Sequence, residues 1–349
     1  MPTIKDVADL AGVAPSTVSR AMRGHTSIPQ NTSRRIQDAA HSIGYKSNPI
    51  LSEMMSAIRS GGGSAKATLA YLTNSPTEHE WRKAPTFLEL YEGAAHRADE
   101  LGFGMDVIWT RDQGMSSARL TKILFSRGIQ GILIGPLNAA RGHLSLQWDR
   151  FSIVALGHSI SEPRVHRVVN NQKRTVDIAL RQVWKHGYRR PALFLLDSQN
   201  KRGDLNFTAG YFSWAADRAI PPIPPLLFRR LDRTETARWL KRCQPDVLLG
   251  SGAASHAFIR QIPNAPAFVD LDLAHPDGEV AGMVQNHRIV GAAAVDFVIQ
   301  QMSHGERGVP SHVKMLMAEG TWFDGASLPR RRNAIVALQA RGRRRRTCV

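Results

Sequence analysis

The chain has 349 residues, 42% of them hydrophobic and 21% charged, with a formal net charge of +17 and a pI near 10.7. That length exceeds one ordinary hydrophobic core, so two or three domains of a globular protein are expected. The basic balance favours a polyanionic partner, because neutralised phosphates release condensed counterions, but it does not separate DNA from RNA or an acidic membrane. Cys243 and Cys348 are the two cysteines and form no CxxC pair, which excludes a thiolate zinc site and a disulfide framework and fits a reducing compartment.

The opening Met-Pro-Thr-Ile-Lys-Asp has no apolar segment behind a basic start, and no apolar run is long enough to span a bilayer. A cytoplasmic protein with no membrane partner is the expectation. Three short helices are predicted first. Ile4, Val7, Ala8 and Ala11 fall at i, i+3, i+4 and i+7, with Thr3 as N-cap and Asp6 completing a box-like pattern. Gly12 breaks this helix. A second begins near Pro15, turns Val18, Ala21 and Met22 inward and ends at Gly24. A third carries Ile36, Ala39, Ala40 and Ile43 and stops at Gly44. Two helices joined by a tight glycine turn and closed by a third describe a helix-turn-helix unit, although any small helical bundle shares the periodicity.

Asn48-Pro49 supplies an N-cap and a proline for the first helical position. The segment running on to Arg59 aligns Ile50, Met54 and Ile58, and Gly61-Gly62-Gly63-Ser64 then reads as a flexible break. A helix this short is marginal alone in water and needs a partner surface.

From Thr68 the pattern alternates between strand and helix. Strands are predicted at Leu69–Thr73, Met105–Trp109, Gly131–Ile134, Ile153–Leu156, Ala192–Leu196, Val247–Leu249 and Ala267–Leu271. Helices are predicted at Phe87–Leu101, Ser117–Arg127, Thr175–His186 and Ala209–Arg218, three of them followed by the stops Gly102, Gly128 and Gly187. Such βαβ alternation implies parallel sheets wrapped by helices. There are too many strands for one small sheet, so two lobes with a cleft are expected, with ligands at the carboxyl ends of the strands. Arg330, Arg331, Arg332, Arg341 and Arg343 to Arg346 close the chain as a basic tail, either a solvated segment or an extra phosphate contact.

Asp6-Val7-Ala8, Ala11-Gly12-Val13 and Thr17-Val18-Ser19-Arg20, followed by Gly24, Thr32, Gly44-Tyr45 and Asn48, are the most specific stretch. Gly93, Gly131-Ile132-Leu133-Ile134, His186-Gly187-Tyr188-Arg189-Arg190, and Gln285 ahead of Gly291 accompany it. In these residues and their order the chain resembles the LacI/GalR family of bacterial transcription regulators, to about Leu328. The resemblance implies an α/β protein with an N-terminal all-α helix-turn-helix domain at 1–47. A hinge helix and linker follow at 48–66, then a two-lobed, periplasmic-binding-protein-like domain for effector binding and dimerisation at 67–328, and the tail at 329–349. It implies a homodimer that binds palindromic double-stranded operator DNA, acts as a repressor under a small-molecule effector, and has no catalytic residue, cofactor or metal.

By the same resemblance the recognition helix runs from Pro15 to Met22. Pro15, Ser16 and Arg20 match base-reading positions, with Thr17 and Ser19 near backbone or base edges. Thr3, Ser19, Thr32 and Tyr45 match positions that touch the DNA backbone, and Asn48 opens the hinge helix. Met54 stands where relatives wedge a leucine into the minor groove.

The chain also departs from the family. Ala14 replaces the serine or threonine that caps the recognition helix. Phe207 stands where sugar-binding relatives place a hydroxyl-clasping arginine, and the Ser251-Gly252 region replaces an Asn-Asp. Asp272 matches a cleft aspartate and Gln285 a residue near the lobe crossover, while Asn74, His158 and Trp214 are lining candidates by position. Aromatic and apolar lining suits a sugar face or another neutral ligand, the missing arginine argues against a strongly anionic effector, and a sugar or sugar derivative is the expected class by analogy.

Three other readings compete. A sugar-binding transport receptor shares the lobes but should start with a signal peptide and has no reason for a helix-turn-helix. An enzyme finds no support: Gly61-Gly62-Gly63-Ser64-Ala65-Lys66 lacks the Gly-Lys-Ser/Thr ending of a P-loop, and HExxH and GxSxG are absent. A basic architectural DNA binder predicts steep salt dependence without sequence preference, and leaves the lobes without use.

Overall fold

The computed structural model describes residues 4–22, 28–43 and 67–331. Thr3, Tyr45, Asn48, Met54 and the expected hinge helix lie outside the described residues. Two compact units separate at Ala67–Thr68, residues 300–306 grouping with the first.

In the first unit, α1 (Ile4–Ala11), α2 (Pro15–Met22) and α3 (Gln30–Ser42) surround a core of Val7, Ala8, Ala11, Val18, Ala21, Ile36, Ala39 and Ala40. These are the apolar stripes of the sequence, closed on one another. Each helix is too short to persist alone, so the shared core supplies its stability.

The second unit continues with β1 (Thr68–Thr73), α4 (Pro85–Glu100), β2 (Gly104–Trp109), α5 (Ser117–Ser126), β3 (Gly131–Ile134), β4 (Gly142–His143), β5 (Ser152–Leu156), β6 (Ile160–Glu162) and β7 (His166–Asn170). Then follow α6 (Gln172–Lys185), β8 (Pro191–Leu196), α7 (Asp197–Arg202), α8 (Asn206–Asp217), β9 (Leu226–Phe228), α9 (Arg233–Cys243), β10 (Val247–Gly250), α10 (Ala253–Arg260), β11 (Ala267–Asp270) and β12 (Ala281–Val284). The long α11 (His287–His304), β13 (Met315–Ala318) and β14 (Thr321–Phe323) complete it.

Two six-stranded sheets result, in the orders β13-β7-β5-β3-β1-β2 and β14-β12-β11-β10-β8-β9, each parallel except for β14, which runs antiparallel to β12. All seven predicted strands and all four predicted helices of this region form, with ends shifted by a few residues. Gly102, Gly128 and Gly187 take φ of +80°, +67° and +95°, the left-handed geometry that ends a helix cheaply only at glycine.

The chain passes between the sheets three times: after β7, after β12 and between β13 and β14. Asparagines fasten these passages. The Asn171 N–H donates to the Ala318 carbonyl at 2.9 Å, and Asn286 Nδ2 donates to the Glu319 carbonyl at 2.9 Å. The Asn170 amide reaches the Gln285 carbonyl at 2.6 Å. In the first lobe α4 and α11 press together at facing glycines. A methyl group on Gly291 would overlap the Leu90 carbonyl, and one on Gly93 the Arg288 backbone.

The start of the basic tail belongs to the fold. Arg331 pairs with Asp246 at 3.1 Å, lies over the Tyr188 ring at 4.5 Å, and donates its N–H to the His186 carbonyl.

Candidate DNA-reading helix and ligand cleft

The turn before α2 sets that helix on the core. Gly12 takes φ +61°, and the Val13 N–H donates to the Ala8 carbonyl at 3.0 Å, closing α1 in a left-handed turn. The Ala14 carbonyl then accepts from the N–H groups of Thr17 and Val18 at 2.8 and 3.2 Å, and Pro15 fills the first helical position. Val18 and Ala21, three residues apart, go into the core. Pro15 and Arg20 are left exposed and Thr17 half-buried. Thr32 is half-buried on α3. The side chains of Ser16 and Ser19 lie outside the described residues. An arginine side chain carries paired N–H donors that match a guanine edge.

In the second unit the carboxyl ends of both sheets face a cleft of about 700 Å³, a volume typical of small-molecule sites. His158, Phe207, Ser251, Asp272 and Gln285 all line it. The structure places the other two position-based candidates elsewhere. Asn74 donates to Thr110 Oγ1 at 2.9 Å, tying the ends of β1 and β2 together. Trp214 is buried in the core of the second lobe, edge-on to Trp184 at 5.6 Å with the Arg218 guanidinium 4.7 Å over its ring. Its position on α8 faces the sheet, so the indole packs rather than binds.

Four further cleft residues carried no signal in the sequence: Thr86, Arg202, Asp270 and His287. Asp272 is the hub of one group. Its Oδ1 meets His287 Nε2 at 2.7 Å, and its Oδ2 accepts from the Thr86 hydroxyl at 3.1 Å. Thr86 belongs to the first lobe and Asp272 to the second, so this contact ties the lobes. Burial disfavours charge on His287. The attraction of Asp272, its hydrogen bond and the nearby Glu89 outweigh that and hold the imidazole pKa above its ordinary value.

Asp270 has a different role. It is 2% exposed, and its Oδ1 accepts from the N–H groups of Gly252 and Asp272, both at 2.9 Å. Burial pushes its carboxyl up to about 6, although those two hydrogen bonds pull the other way. Gly252 takes φ +84° to present that N–H at the start of α10. The Ser251-Gly252 departure thus builds a turn onto Asp270. Gln285, 3% exposed, donates to the Leu271 carbonyl at 2.8 Å and positions the crossover.

His158 and Arg202 also line the cleft. Burial and then the charge of Arg167 lower the His158 pKa, against a weaker pull from Asp204. Arg202 ends α7, is partly buried, and has its pKa lowered by burial. Among the described residues no ion pair or hydrogen bond engages its guanidinium, no helix is long and apolar enough to cross a membrane, and no group of three metal-ligating side chains converges.

A helix-turn-helix unit ahead of a two-lobed α/β domain is the architecture of a DNA-binding regulator. Residues 3–48 match the family model described as bacterial regulatory proteins, lacI family. The chain is 43% identical over 56 residues to the HTH-type transcriptional regulator GntR of Pseudomonas aeruginosa, 16% of each chain. The matched segments span 16% to 62% of the length of the curated relatives. Solved structures share the fold over nearly the whole chain. A transcriptional regulator CelR–cellobiose complex matches with TM-score 0.52 and 17% identity, covering 93% of this chain and 98% of that one. The lac repressor dimer bound to operator and the anti-inducer ONPF matches with TM-score 0.54 and 15% identity, covering 94% and 99%. Residues 3–48 thus carry a lacI-family helix-turn-helix segment, and the chain as a whole shares the fold of these solved regulators.

Proposed function

We propose that this protein is a transcriptional repressor of the LacI type, acting in the cytoplasm as a homodimer on a palindromic operator under control of a carbohydrate-class effector bound in the cleft. The observation that carries the reading is α2: a helix fixed by a buried core, with Arg20 exposed, inside the segment that matches the lacI-family model. Arg20 reads a guanine through O6 and N7, while Pro15, Thr17 and Thr32 set register along the duplex. The segment from Asn48 to Arg59 supplies paired hinge helices, and Met54 wedges at the operator centre.

Control runs through the three crossovers. A ligand that changes the angle between the lobes moves the two hinges of a dimer together or apart. Because such helices are marginal alone, their order follows that spacing. A coupling of about 1–3 kcal/mol alters operator affinity about 5- to 150-fold. The cellobiose complex of the structurally similar CelR supports a carbohydrate in this cleft.

The test is selection of binding sites from a random duplex library by the purified full chain at near-physiological salt. One palindromic motif, centred on a flexible pyrimidine–purine step, is expected. Recovery of no motif, with retention lost as salt rises, overturns the reading in favour of a nonspecific basic binder.

A further inference from the structure

We propose that the cleft ligand is a polyhydroxylated small molecule carrying one anionic group, and that Arg202 is the residue that receives that group. The inference rests on the reading of the cleft as the effector site and deepens it.

Three observations converge on Arg202. First, it lines the cleft, is partly buried, and has neither ion pair nor hydrogen bond among the described residues. A guanidinium carries five N–H donors in a planar fork, and a half-dehydrated one without acceptors is costly. An anion in the cleft supplies those acceptors. Second, the neighbouring acids are committed elsewhere. Asp272 spends one oxygen on His287 and the other on Thr86. Asp270 accepts two backbone N–H groups, and Asp277 accepts the Glu279 N–H at 2.9 Å. Glu89 acts on His287. Third, α7 provides an acid for its other cation and not for this one: Lys201 pairs with Asp197 at 2.7 Å, one turn back. Arg202 therefore stands apart from the charge pairing around it.

The remaining lining suits hydroxyl groups. Gln199, Ser251 and His275 open onto the same cavity, whose volume accommodates a mono- or disaccharide derivative. The expectation of a neutral ligand rested on Phe207 in place of a family arginine. The structure supplies a guanidinium to the same cleft from α7, five residues earlier. Carboxylate and phosphate share the bidentate geometry that Arg202 offers, and both fall within the proposal.

Thermal unfolding of the full chain tests it, in buffer of constant ionic strength, with millimolar D-glucose, D-gluconate or D-glucose 6-phosphate. At least one acidic probe is expected to raise the midpoint while glucose does not, and the active acid tells carboxylate from phosphate. Arg202→Gln is expected to weaken that acid roughly 10- to 100-fold. Its own midpoint without ligand should equal or exceed the native one, since an unpaired buried charge is removed. Lys201→Gln, with the same change in net charge, should keep the response. Shifts equal for glucose and the acids, a shift that survives Arg202→Gln, or no shift with either acid overturns the proposal. Operator selection needs no ligand, so a recovered palindrome alongside any of these failures leaves the regulator reading standing.

Discussion

Asp270 and Asp272 stand two residues apart at the end of one strand, yet their surroundings assign them different chemistry. Asp272 has an imidazole partner in His287. Asp270 has backbone N–H groups alone, and burial holds its carboxyl at about 6 instead of near 3.8. The folded protein therefore binds more protons than the unfolded chain between those values. The stability contributed by this group falls as pH rises through that window and stays lower above it, by on the order of 3 kcal/mol. Asp270→Asn keeps an oxygen for the two N–H donors and removes the titration. Denaturant unfolding of native protein and variant from about pH 4 to 7 should show a flatter profile for the variant; equal slopes would place the proton elsewhere. Arg20 is the matching case on α2. Arg20→Ala should cost about 1–3 kcal/mol on the selected operator and relax one base position. Equal weakening on every sequence would mean that Arg20 holds phosphate only. Arg20 was legible from the family motif. Arg202 was not, because it sits in a polar run, Asn200-Lys201-Arg202-Gly203, that reads as a loop, and its isolation depends on where other carboxylates point.

At the scale of elements, α2 begins on a weak cap. Ala14 gives its carbonyl to Thr17 and Val18 but has no side-chain oxygen for the N–H groups of the first turn, and Pro15 offsets this in part by presetting the helix. Ala14→Ser should stabilise α2 by about 0.5–2 kcal/mol, read as slower hydrogen exchange of its amides. Unchanged exchange would show that the turn already satisfies them. Elements whose pattern matched their surroundings were readable in advance: α1 to α3 through their apolar stripes, and β3, β5 and β10 through short continuous apolar runs buried on both faces. Other elements escaped for physical reasons. The α11 helix mixes apolar and small residues on every side, because part of it is buried all round and glycine contacts α4. The β13 strand exposes Met315, Leu316 and Met317 at a sheet edge and lacks the alternation of a half-buried strand. The β9 strand has three residues and follows a proline-rich stretch. The cleft itself depends on crossovers that bring the ends of two sheets together, which no local pattern encodes.

At the scale of the whole molecule, a small helical unit is followed by a two-lobed domain whose lobes join through three chain passages and the Thr86–Asp272–His287 contacts. A charge of +17 would drive phosphate binding by any fold, so affinity for DNA alone says little about the helical unit. What sets the proposed repressor apart is sequence-specific operator binding through α2. Its most direct test is the dissociation constant of the full chain for the selected duplex against a scrambled duplex of the same composition, from low to near-physiological salt. Both are expected to weaken as salt rises, while the selected duplex keeps an advantage of roughly a thousandfold or more. Two curves that fall together without separation would contradict it, and would make the protein a basic DNA binder without an operator.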